Sequence, residues 1–298
     1  MCGIAGIFLI DQNLSSSLGN LLTKMLVPLS DRGPDSAGVA IYKEADENTT
    51  KISVQSEDPV HDFLKLSENI KIQTGRNVII EPIDSHAIIK LDELDVSTVC
   101  DYLKNDTNVR IMSVGAKVEI YKEIGPPDQV LERFNVPAMG GTHAIGHTRM
   151  ATESGVDIRS AHPYWAYPFS DVSVVHNGQL TNYWNNRRAL EAKGMRFLSS
   201  CDSELIAVYL ADKIREGMDL EEAMKGSLEH LDGVFTYLVA TKDKLGMAKD
   251  TMAAKPMVLY ESDDLVALAS EEVAIRSVMP TEIDTYDPYE GEVKVWQA

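Results

Sequence analysis

The chain has 298 residues, of which 44% are hydrophobic and 25% are charged, as is ordinary for a globular protein with a substantial core. Acidic residues outnumber basic ones by 46 to 28, and the resulting net charge of −18 disfavours binding to nucleic-acid phosphates. The three cysteines form no paired framework, the apolar runs are too short to span a membrane, and the seven histidines show no HExxH motif. We therefore expect a cytoplasmic protein with no nucleic-acid or membrane partner and no metal site.

The first predicted element is an apolar strand over residues 3–10, directly behind Met1 and Cys2. Only glycines interrupt it, which is typical of a strand covered on both faces. Removal of the initiator methionine would leave Cys2 with a thiol and a free α-amine on the same carbon. These two groups ordinarily titrate within about one pH unit of each other, so the amine can take up the thiol proton. Cys2 is therefore a candidate nucleophile with its own base, and the alternatives are a signal-peptide core or a merely buried cysteine.

The next elements alternate between helix, loop and strand. Apolar residues repeat at helical spacing over residues 18–26 and predict a helix that packs on the first strand. Residues 31–38 are rich in turn formers and predict a loop, and residues 39–42 predict a strand. Residues 44 to about 140 then differ in character, and we interpret them as an inserted α+β lobe. Strands are predicted in the lobe at 77–80, 86–91, 109–114 and 117–121, with short helices starting near 96 and 126.

The second half of the chain predicts many strands, with helices that follow in pairs. The predicted strands cover residues 142–148, 172–175, 234–240, 245–249, 257–260, 265–269 and 292–296, and the predicted helices begin at residues 202 and 220. This pattern predicts an α+β fold in which two sheets are stacked between helical layers.

Several polar side chains stand at the ends of these predicted strands. Arg149 could bind a substrate carboxylate through its planar fork, although a surface arginine in an ion pair has the same local pattern. Asn177 and Gly178 could form an oxyanion hole, in which each donor contributes about 3 kcal/mol, or they could form a hairpin turn. Asp202 could bind a substrate ammonium or cap a helix. His162 lies in a loop, where a histidine is more often a structural hydrogen-bonding group.

Five short motifs follow one another along the chain. They are Cys-Gly-Ile from residue 2, Arg-Gly-Pro-Asp-Ser-Ala-Gly from 32, Gly-His-Thr-Arg-Met-Ala-Thr from 146, His-Asn-Gly-Gln-Leu-Thr-Asn from 176 and Ser-Cys-Asp-Ser-Glu from 200. Their order closely resembles the class II glutamine amidotransferases, over residues 2–43 and 140–272. The resemblance implies a four-layer αββα N-terminal nucleophile hydrolase fold over residues 2–298, with the lobe at about 44–140 inserted.

The resemblance also implies catalytic roles. Cys2 would be the nucleophile, with its α-amine as the base, and Asn177 and Gly178 would form the oxyanion hole. The reaction implied is hydrolysis of the glutamine side-chain amide through a thioester on Cys2, with release of ammonia.

Further residues are implied to bind the substrate. Arg149 would hold the α-carboxylate of glutamine and Asp202 its α-amine. Thr152 and His162 would support the pocket, and Arg32 resembles the loop arginine that the family places near its nucleophile.

The user of the ammonia is expected to be another polypeptide, because we find no acceptor domain or phosphate-binding motif in the rest of the chain. The chain looks most like the amidotransferase-type subunit of N-methylglutamate synthase, and next like split glutamate-synthase-like enzymes. This resemblance implies a hetero-oligomer in which FMN and an iron–sulfur cluster belong to partner subunits and no cofactor belongs to this chain. The 44–140 lobe is a candidate docking surface. Two alternatives remain: an N-terminal-cysteine peptidase or acylase acting on small amides, and a non-catalytic assembly subunit.

Overall fold

The computed structural model of the chain describes residues 2–151, 155–279 and 281–297. Its strands are β1 Gly3–Leu9, β2 Ser36–Tyr42, β3 Thr49–Gln55, β4 Ile79–Ile83, β5 His86–Asp92, β6 Arg110–Gly115, β7 Val118–Ile124, β8 His143–Arg149, β9 Tyr164–Trp165, β10 Ser173–Leu180, β11 Gly233–Ala240, β12 Lys244–Lys249, β13 Val258–Glu261, β14 Leu265–Ala269 and β15 Val293–Gln297. Its α-helices are α1 Leu18–Leu26, α2 Pro59–Leu64, α3 Leu66–Thr74, α4 Val96–Asp106, α5 Pro127–Arg133, α6 Tyr183–Ala192, α7 Asp202–Arg215, α8 Leu220–His230 and α9 Glu272–Arg276.

Strand β1 lies inside a six-stranded antiparallel sheet with the order β13-β14-β1-β8-β2-β7. All seven of its residues are buried, which confirms the strand that the apolar N-terminal sequence predicts. Alternate side chains point to opposite faces of the strand. Ile4 and Phe8 therefore pack into the core between the sheets, whereas Ala5, Ile7 and Leu9 pack against the helical side.

A second antiparallel sheet, with the order β15-β12-β11-β10-β9, faces the first one. Strands β1 and β8 of the first sheet contact β10 and β11 of the second. The outer face of the first sheet is covered by α1, α5 and α9, and that of the second by α7 and α8. The result is the four-layer αββα arrangement predicted from the sequence. None of the helices in the described parts of the chain combines the length and the apolar composition needed to cross a membrane.

The inserted lobe has its own four-stranded sheet, with the order β4-β5-β3-β6, and the helices α2, α3 and α4. It spans residues 49–115 and is therefore shorter than the 44–140 predicted. The structure places β7 in the main sheet, where it pairs with β2, and α5 packs on β2. The lobe is not an isolated body, since Ile52 and Val114 belong to the same hydrophobic cluster as Tyr42 and the intersheet core.

Candidate active site

The N-terminal residues and the end of β8 lie side by side because β1 and β8 are antiparallel, with Gly3 opposite Thr148. A cleft of about 1070 Å³ opens there, between the ends of strands β1 and β8 and the start of α7. Its walls include six of the candidate residues from the sequence, namely Cys2, Arg149, His162, Asn177, Gly178 and Asp202. Residues separated by up to 200 positions in the chain thus meet in one place.

The backbone of Cys2 is held from two sides. Its carbonyl oxygen accepts a hydrogen bond from Arg32 Nε at 3.0 Å and another from Asn177 Nδ2 at 3.1 Å. The Arg32 guanidinium is fixed in turn by Glu271, with 2.6 Å between Nη1 and Oε1. The thiol sulfur lies 3.9 Å from the carbonyl oxygen of Met150. Arg32 is not one of the cleft-lining residues, so its visible contribution is to position the backbone of Cys2, the candidate nucleophile.

Asn177 and Gly178 lie within strand β10, opposite Thr236 and Phe235 of β11, and they do not form a hairpin turn. Gly178 has a φ of 145°, a conformation that side chains rarely adopt. A Cβ atom on Gly178 would stand 2.1 Å from the carbonyl oxygen of Val234. Glycine is therefore required here by the close approach of β11.

Arg149 is the last residue of β8 and is only 6% exposed, so it is not a surface arginine. Its Nη1 donates to the carbonyl oxygen of Gly155 at 3.4 Å, and its own carbonyl accepts from Asp35 N at 3.0 Å. The Asp35 carboxylate also accepts from Ala151 N at 2.7 Å. Asp35 therefore holds the backbone on both sides of Met150, which lines the cleft next to Arg149. Thr152, which the sequence also assigned to this pocket, lies outside the described residues.

Asp202 begins the 14-residue helix α7, but its carboxylate does not cap that helix. One oxygen, Oδ2, accepts from Leu180 N of β10 at 2.9 Å. The other, Oδ1, lies 3.5 Å from Ser203 Oγ and 3.9 Å from His176 Nδ1. The side chain is 24% exposed, so this carboxylate can face a cation in the cleft.

Three buried histidines lie close together at the cleft, and two of them, His162 and His176, form part of its wall. His162 Nε2 and His176 Nδ1 lie 2.7 Å and 2.9 Å from Ser203 Oγ, and the His147 ring stacks on the His162 ring at 3.8 Å. Burial lowers the pKa of His147 to about 3 and also lowers the pKa values of His162 and His176, so all three rings are neutral at physiological pH. Of these four residues, the sequence had assigned a role only to His162, although the others lie within the quoted motifs.

Two buried charged residues fasten the loops around the cleft. Glu204 accepts hydrogen bonds from Leu198 N at 2.6 Å and Ser199 N at 2.7 Å, and burial raises the pKa of its carboxyl group. Lys122 Nζ donates to the two backbone carbonyls that flank His162, at 2.7 Å and 3.2 Å. Burial lowers the pKa of Lys122 to about 8. The sequence gave no signal for Lys122, because its strand was assigned to the lobe.

The thiols near the cleft differ in their surroundings. All three cysteines are free, and Cys201 lines the cleft together with Cys2. Burial raises the pKa of the Cys201 thiol and raises that of Cys100 to about 11, which disfavours both thiolates. Across the described ranges, no three His, Cys, Asp or Glu side chains are grouped so as to hold a metal ion.

The fold and the cleft together define the class of protein. The chain superposes on the glutamine phosphoribosylpyrophosphate amidotransferase of B. subtilis with a TM-score of 0.64 and 18% identity, covering 99% of this chain and 47% of that one. The chain thus spans about half of that structure. This similarity confirms the predicted α+β N-terminal nucleophile hydrolase fold.

Sequence similarity identifies the family. The chain is 42% identical to the glutamine amidotransferase-like protein GlxB of Rhizobium meliloti, over 99% of this chain and 98% of that protein. It is 38% identical to a protein of Methanothermobacter thermautotrophicus, provisionally named glutamine amidotransferase, over 100% of both. A family profile for the glutamine amidotransferase domain matches residues 147–277. The chain therefore belongs to the glutamine amidotransferase family.

Proposed function

We propose that this chain is a glutaminase subunit that hydrolyses the side-chain amide of glutamine through a thioester on Cys2 and supplies ammonia to a separate synthase. The observation that supports this proposal best is the convergence of Cys2, Arg149, Asn177, Gly178 and Asp202 on one cleft. A nucleophile, an amide donor and two opposite charges are the groups that an amino acid with an amide side chain requires.

The two charges recognise the head of the substrate. The guanidinium of Arg149 binds the α-carboxylate, for which its planar fork is suited, and the carboxylate of Asp202 binds the α-ammonium. His162 supports the wall beside Asp202 through Ser203, and the resemblance of the sequence motifs assigns Thr152 a supporting role as well. A free amino acid satisfies both charged groups, whereas a plain acyl amide satisfies neither.

The reaction follows from the groups around Cys2. After removal of Met1, the α-amine takes the thiol proton and the sulfur attacks the amide carbon of glutamine. The oxygen gains the negative charge and is stabilised by Asn177 Nδ2 and the Gly178 backbone N–H. The proton passes to the amide nitrogen, the C–N bond breaks and ammonia leaves. Water then attacks the thioester, which releases glutamate and restores the thiol.

A separate consumer of the ammonia is supported by the lengths of the similar proteins. GlxB and the Methanothermobacter protein are co-extensive with this chain, whereas the B. subtilis amidotransferase is about twice as long. We propose a synthase of the N-methylglutamate synthase or glutamate synthase type, assembled with this chain in the cytoplasm. FMN and an iron–sulfur cluster would be carried by its subunits.

The inserted lobe is the proposed docking surface for that synthase. It exposes several large apolar side chains, among them Val60 at 81%, Leu64 at 76% and Leu94 at 89%. Deletion of the lobe would open the shared core, so point substitutions are the better test. Leu64→Lys with Leu94→Lys should remove flavin- and iron–sulfur-containing subunits from the complex purified from the native host. Tyr289→Lys, at a side chain that is 80% exposed outside the lobe, should retain them. Retention by both variants would contradict docking through the lobe.

Labelling tests the chemistry directly. A diazoketone analogue of glutamine should alkylate the purified chain once, and intact-mass and peptide analysis should locate the adduct on Cys2 and show that Met1 is absent. Cys2→Ala should abolish the label. Cys201→Ala is the matched control, because that thiol lines the same cleft but its pKa is raised by burial, and this variant should label as the wild type does.

Three outcomes would contradict the proposal. A retained Met1 would remove the base, and an adduct on Cys201 would move the nucleophile. Absence of any adduct would favour a non-catalytic subunit. A screen of glutamine against dipeptides and acyl amides separates a glutaminase from a peptidase or acylase, and we expect hydrolysis of glutamine.

A further inference from the structure

We propose that Ser203 is a positioning residue. Its hydroxyl sets the distance between Asp202, which binds the glutamine α-ammonium, and the oxyanion donor Asn177. It does so by joining His162 and His176 through one shared hydrogen-bonding atom. This inference rests on the proposed function of the cleft, and it concerns three residues of the cleft wall, Ser203, His162 and His176, to which the proposed reaction assigns no contact with the reacting atoms.

Three separate parts of the chain meet at this hydroxyl. Ser203 belongs to the first turn of α7, His176 belongs to β10, and His162 belongs to the loop before β9. Ser203 Oγ lies 2.7 Å from His162 Nε2 and 2.9 Å from His176 Nδ1. All three residues are at least 94% buried, so water does not readily replace either contact.

The network has few substitutes for this hydroxyl. His162 Nδ1, His176 Nε2 and His147 Nδ1 are buried and have no hydrogen-bond partner within the described residues. The orientation of the His162 ring therefore depends on Ser203 and on stacking against His147. A ring that lost its hydrogen bond would leave a further buried nitrogen unsatisfied, which favours rearrangement.

The proton positions in the network are constrained by simple chemistry. His147 Nε2 lies 3.1 Å from the carbonyl oxygen of His176, and a carbonyl only accepts, so His147 carries its proton on Nε2. The serine hydroxyl has one proton, and a neutral histidine ring has one N–H. Since the hydroxyl can also donate to Asp202 Oδ1 at 3.5 Å, at least one of the two histidines must donate its N–H to Ser203, and the single hydroxyl proton couples the tautomer of the other.

The hydrogen bond between Ser203 and His176 affects the substrate because each of these residues is adjacent in sequence to a residue that contacts glutamine in the proposed reaction. Asp202, which precedes Ser203, binds the ammonium in the proposed reaction, and Asn177, which follows His176, supplies the oxyanion donor. Holding Ser203 against His176 therefore holds the two ends of a bound glutamine at a fixed separation. A misplacement of about 1 Å in such a site can cost about a hundredfold in rate.

The kinetic test uses the full-length chain and three variants. Ser203→Ala should lower kcat/KM for glutamine about 10- to 100-fold, with changes in both kcat and KM, because it loosens the donors as well as the head site. Ser203→Thr keeps the hydroxyl and should stay within about threefold of the wild type. Ser227→Ala is the control, since Ser227 is fully buried and hydrogen-bonded to Tyr237 and the Met224 carbonyl on the far side of the second sheet. It should lower stability without changing kcat/KM.

A second measurement does not depend on turnover. Nitrogen-15 NMR of the histidine rings should show single, neutral tautomers for His162 and His176 in the wild type. Ser203→Ala should change the signals of these two rings and leave His86, in the lobe, unchanged. A merely structural serine would lower the melting temperature without moving these signals.

The outcomes separate the two proposals. If the wild type does not hydrolyse glutamine, the proposed function is refuted. The nitrogen-15 signals of His162 and His176 would still test the hydrogen-bond network around Ser203. Normal hydrolysis by a folded Ser203→Ala, or a folded Ser203→Thr that behaves like Ser203→Ala, would overturn the positioning role.

Discussion

The carboxamide of Asn177 contacts the backbone of Cys2, the proposed nucleophile, in the protein without substrate. Its Nδ2 donates to the Cys2 carbonyl oxygen at 3.1 Å, and Arg32 donates to the same oxygen. The donor is thus already fixed against the backbone of the proposed nucleophile. A preorganised donor needs no reorganisation when negative charge develops, and this makes such groups effective in catalysis.

Replacement of this carboxamide should reduce turnover more than binding. We expect Asn177→Ala to lower kcat by about 10²- to 10³-fold, with KM for glutamine little changed, because the donor acts mainly on the developing oxyanion. Steady-state measurement of ammonia release gives both constants.

The matched control for this variant is Asn186→Ala. Asn186 Nδ2 also donates to a backbone carbonyl, that of His230 at 3.4 Å, but it does not line the cleft. Its variant should keep both constants. A rise in KM with unchanged kcat for Asn177→Ala would instead make Asn177 a group that binds the ground state.

At the scale of elements, strand β10 connects most of the site. It carries His176, Asn177 and Gly178, it pairs with β11 along its whole length, and its Leu180 N–H holds the carboxylate of Asp202. Helix α7 packs on the same strand. The position of β10 relative to β11 therefore decides the positions of the proposed oxyanion donors, Asn177 and Gly178, and of Asp202, the proposed site for the substrate ammonium.

Gly178→Ala should disturb this pairing. The added Cβ would lie 2.1 Å from Val234 O and would have to adopt a φ of 145°. We expect the free energy of unfolding to fall by about 2–4 kcal/mol, which urea denaturation can measure.

Gly155→Ala provides the comparison for this variant, because no described atom lies within 4 Å of its added Cβ. Its effect should stay within about 0.5 kcal/mol. Equal, small effects of the two substitutions would show that β11 can move away from β10 at little cost.

Across the whole molecule, histidine is used as a neutral core residue. Burial lowers the pKa of His86 and His147 to about 3 and that of His143 to about 4, and it also lowers the pKa values of His162 and His176. In the unfolded chain these groups titrate near pH 6.5. Between the two values, the unfolded state binds more protons than the folded state.

The sign of the pH effect follows from this difference. The stability associated with these histidines is fully present above about pH 6.5 and is lost as the pH falls towards the folded pKa values. Each group contributes up to about 1.4 kcal/mol per pH unit, so the three whose folded pKa is about 3 or 4 together contribute up to about 4 kcal/mol per unit, and His162 and His176 act in the same direction. Because a typical domain is stable by about 5–15 kcal/mol, we expect cooperative unfolding near pH 5. Circular dichroism between pH 4 and 8 measures the midpoint.

Two variants test the origin of this acid sensitivity. His86→Gln should reduce the dependence of the free energy of unfolding on pH by the contribution of one proton, because burial in the lobe lowers the pKa of His86 to about 3. His61→Asn, at a side chain that is 82% exposed, should leave the curve unchanged. A free energy of unfolding that stays constant from pH 7 to pH 5 would contradict this account.

The sequence predicted the core elements well because their signals are local. The apolar run of β1 and the helical spacing of α1 depend only on neighbouring residues, and both appear as predicted. Strand β10 was predicted too short, and its Asn177–Gly178 pair was open to interpretation as a turn. That pair extends as a strand because β11 lies against it, and the contact joins residues about 60 positions apart.

The candidate site shows the same division. The motifs identified five residues that line the cleft, and the loop histidine His162 is the sixth, because side-chain chemistry depends on residue identity. The motifs left other roles open. They did not show that Arg32 acts on the Cys2 backbone, or that Lys122 belongs to the main sheet and holds the His162 loop. Those roles depend on long-range pairing, which has no local pattern.

The sequence alone determined the class of fold through its periodicity, the glutamine amidotransferase family through the resemblance of its ordered motifs, and the chemical groups available through residue identity. Only the tertiary structure decided that Cys2, Arg149, Asn177 and Asp202 share one cleft and that Ser203 joins two histidines in its wall. The physical reason is that burial and hydrogen-bond geometry are properties of the packed chain, and a single segment does not carry them.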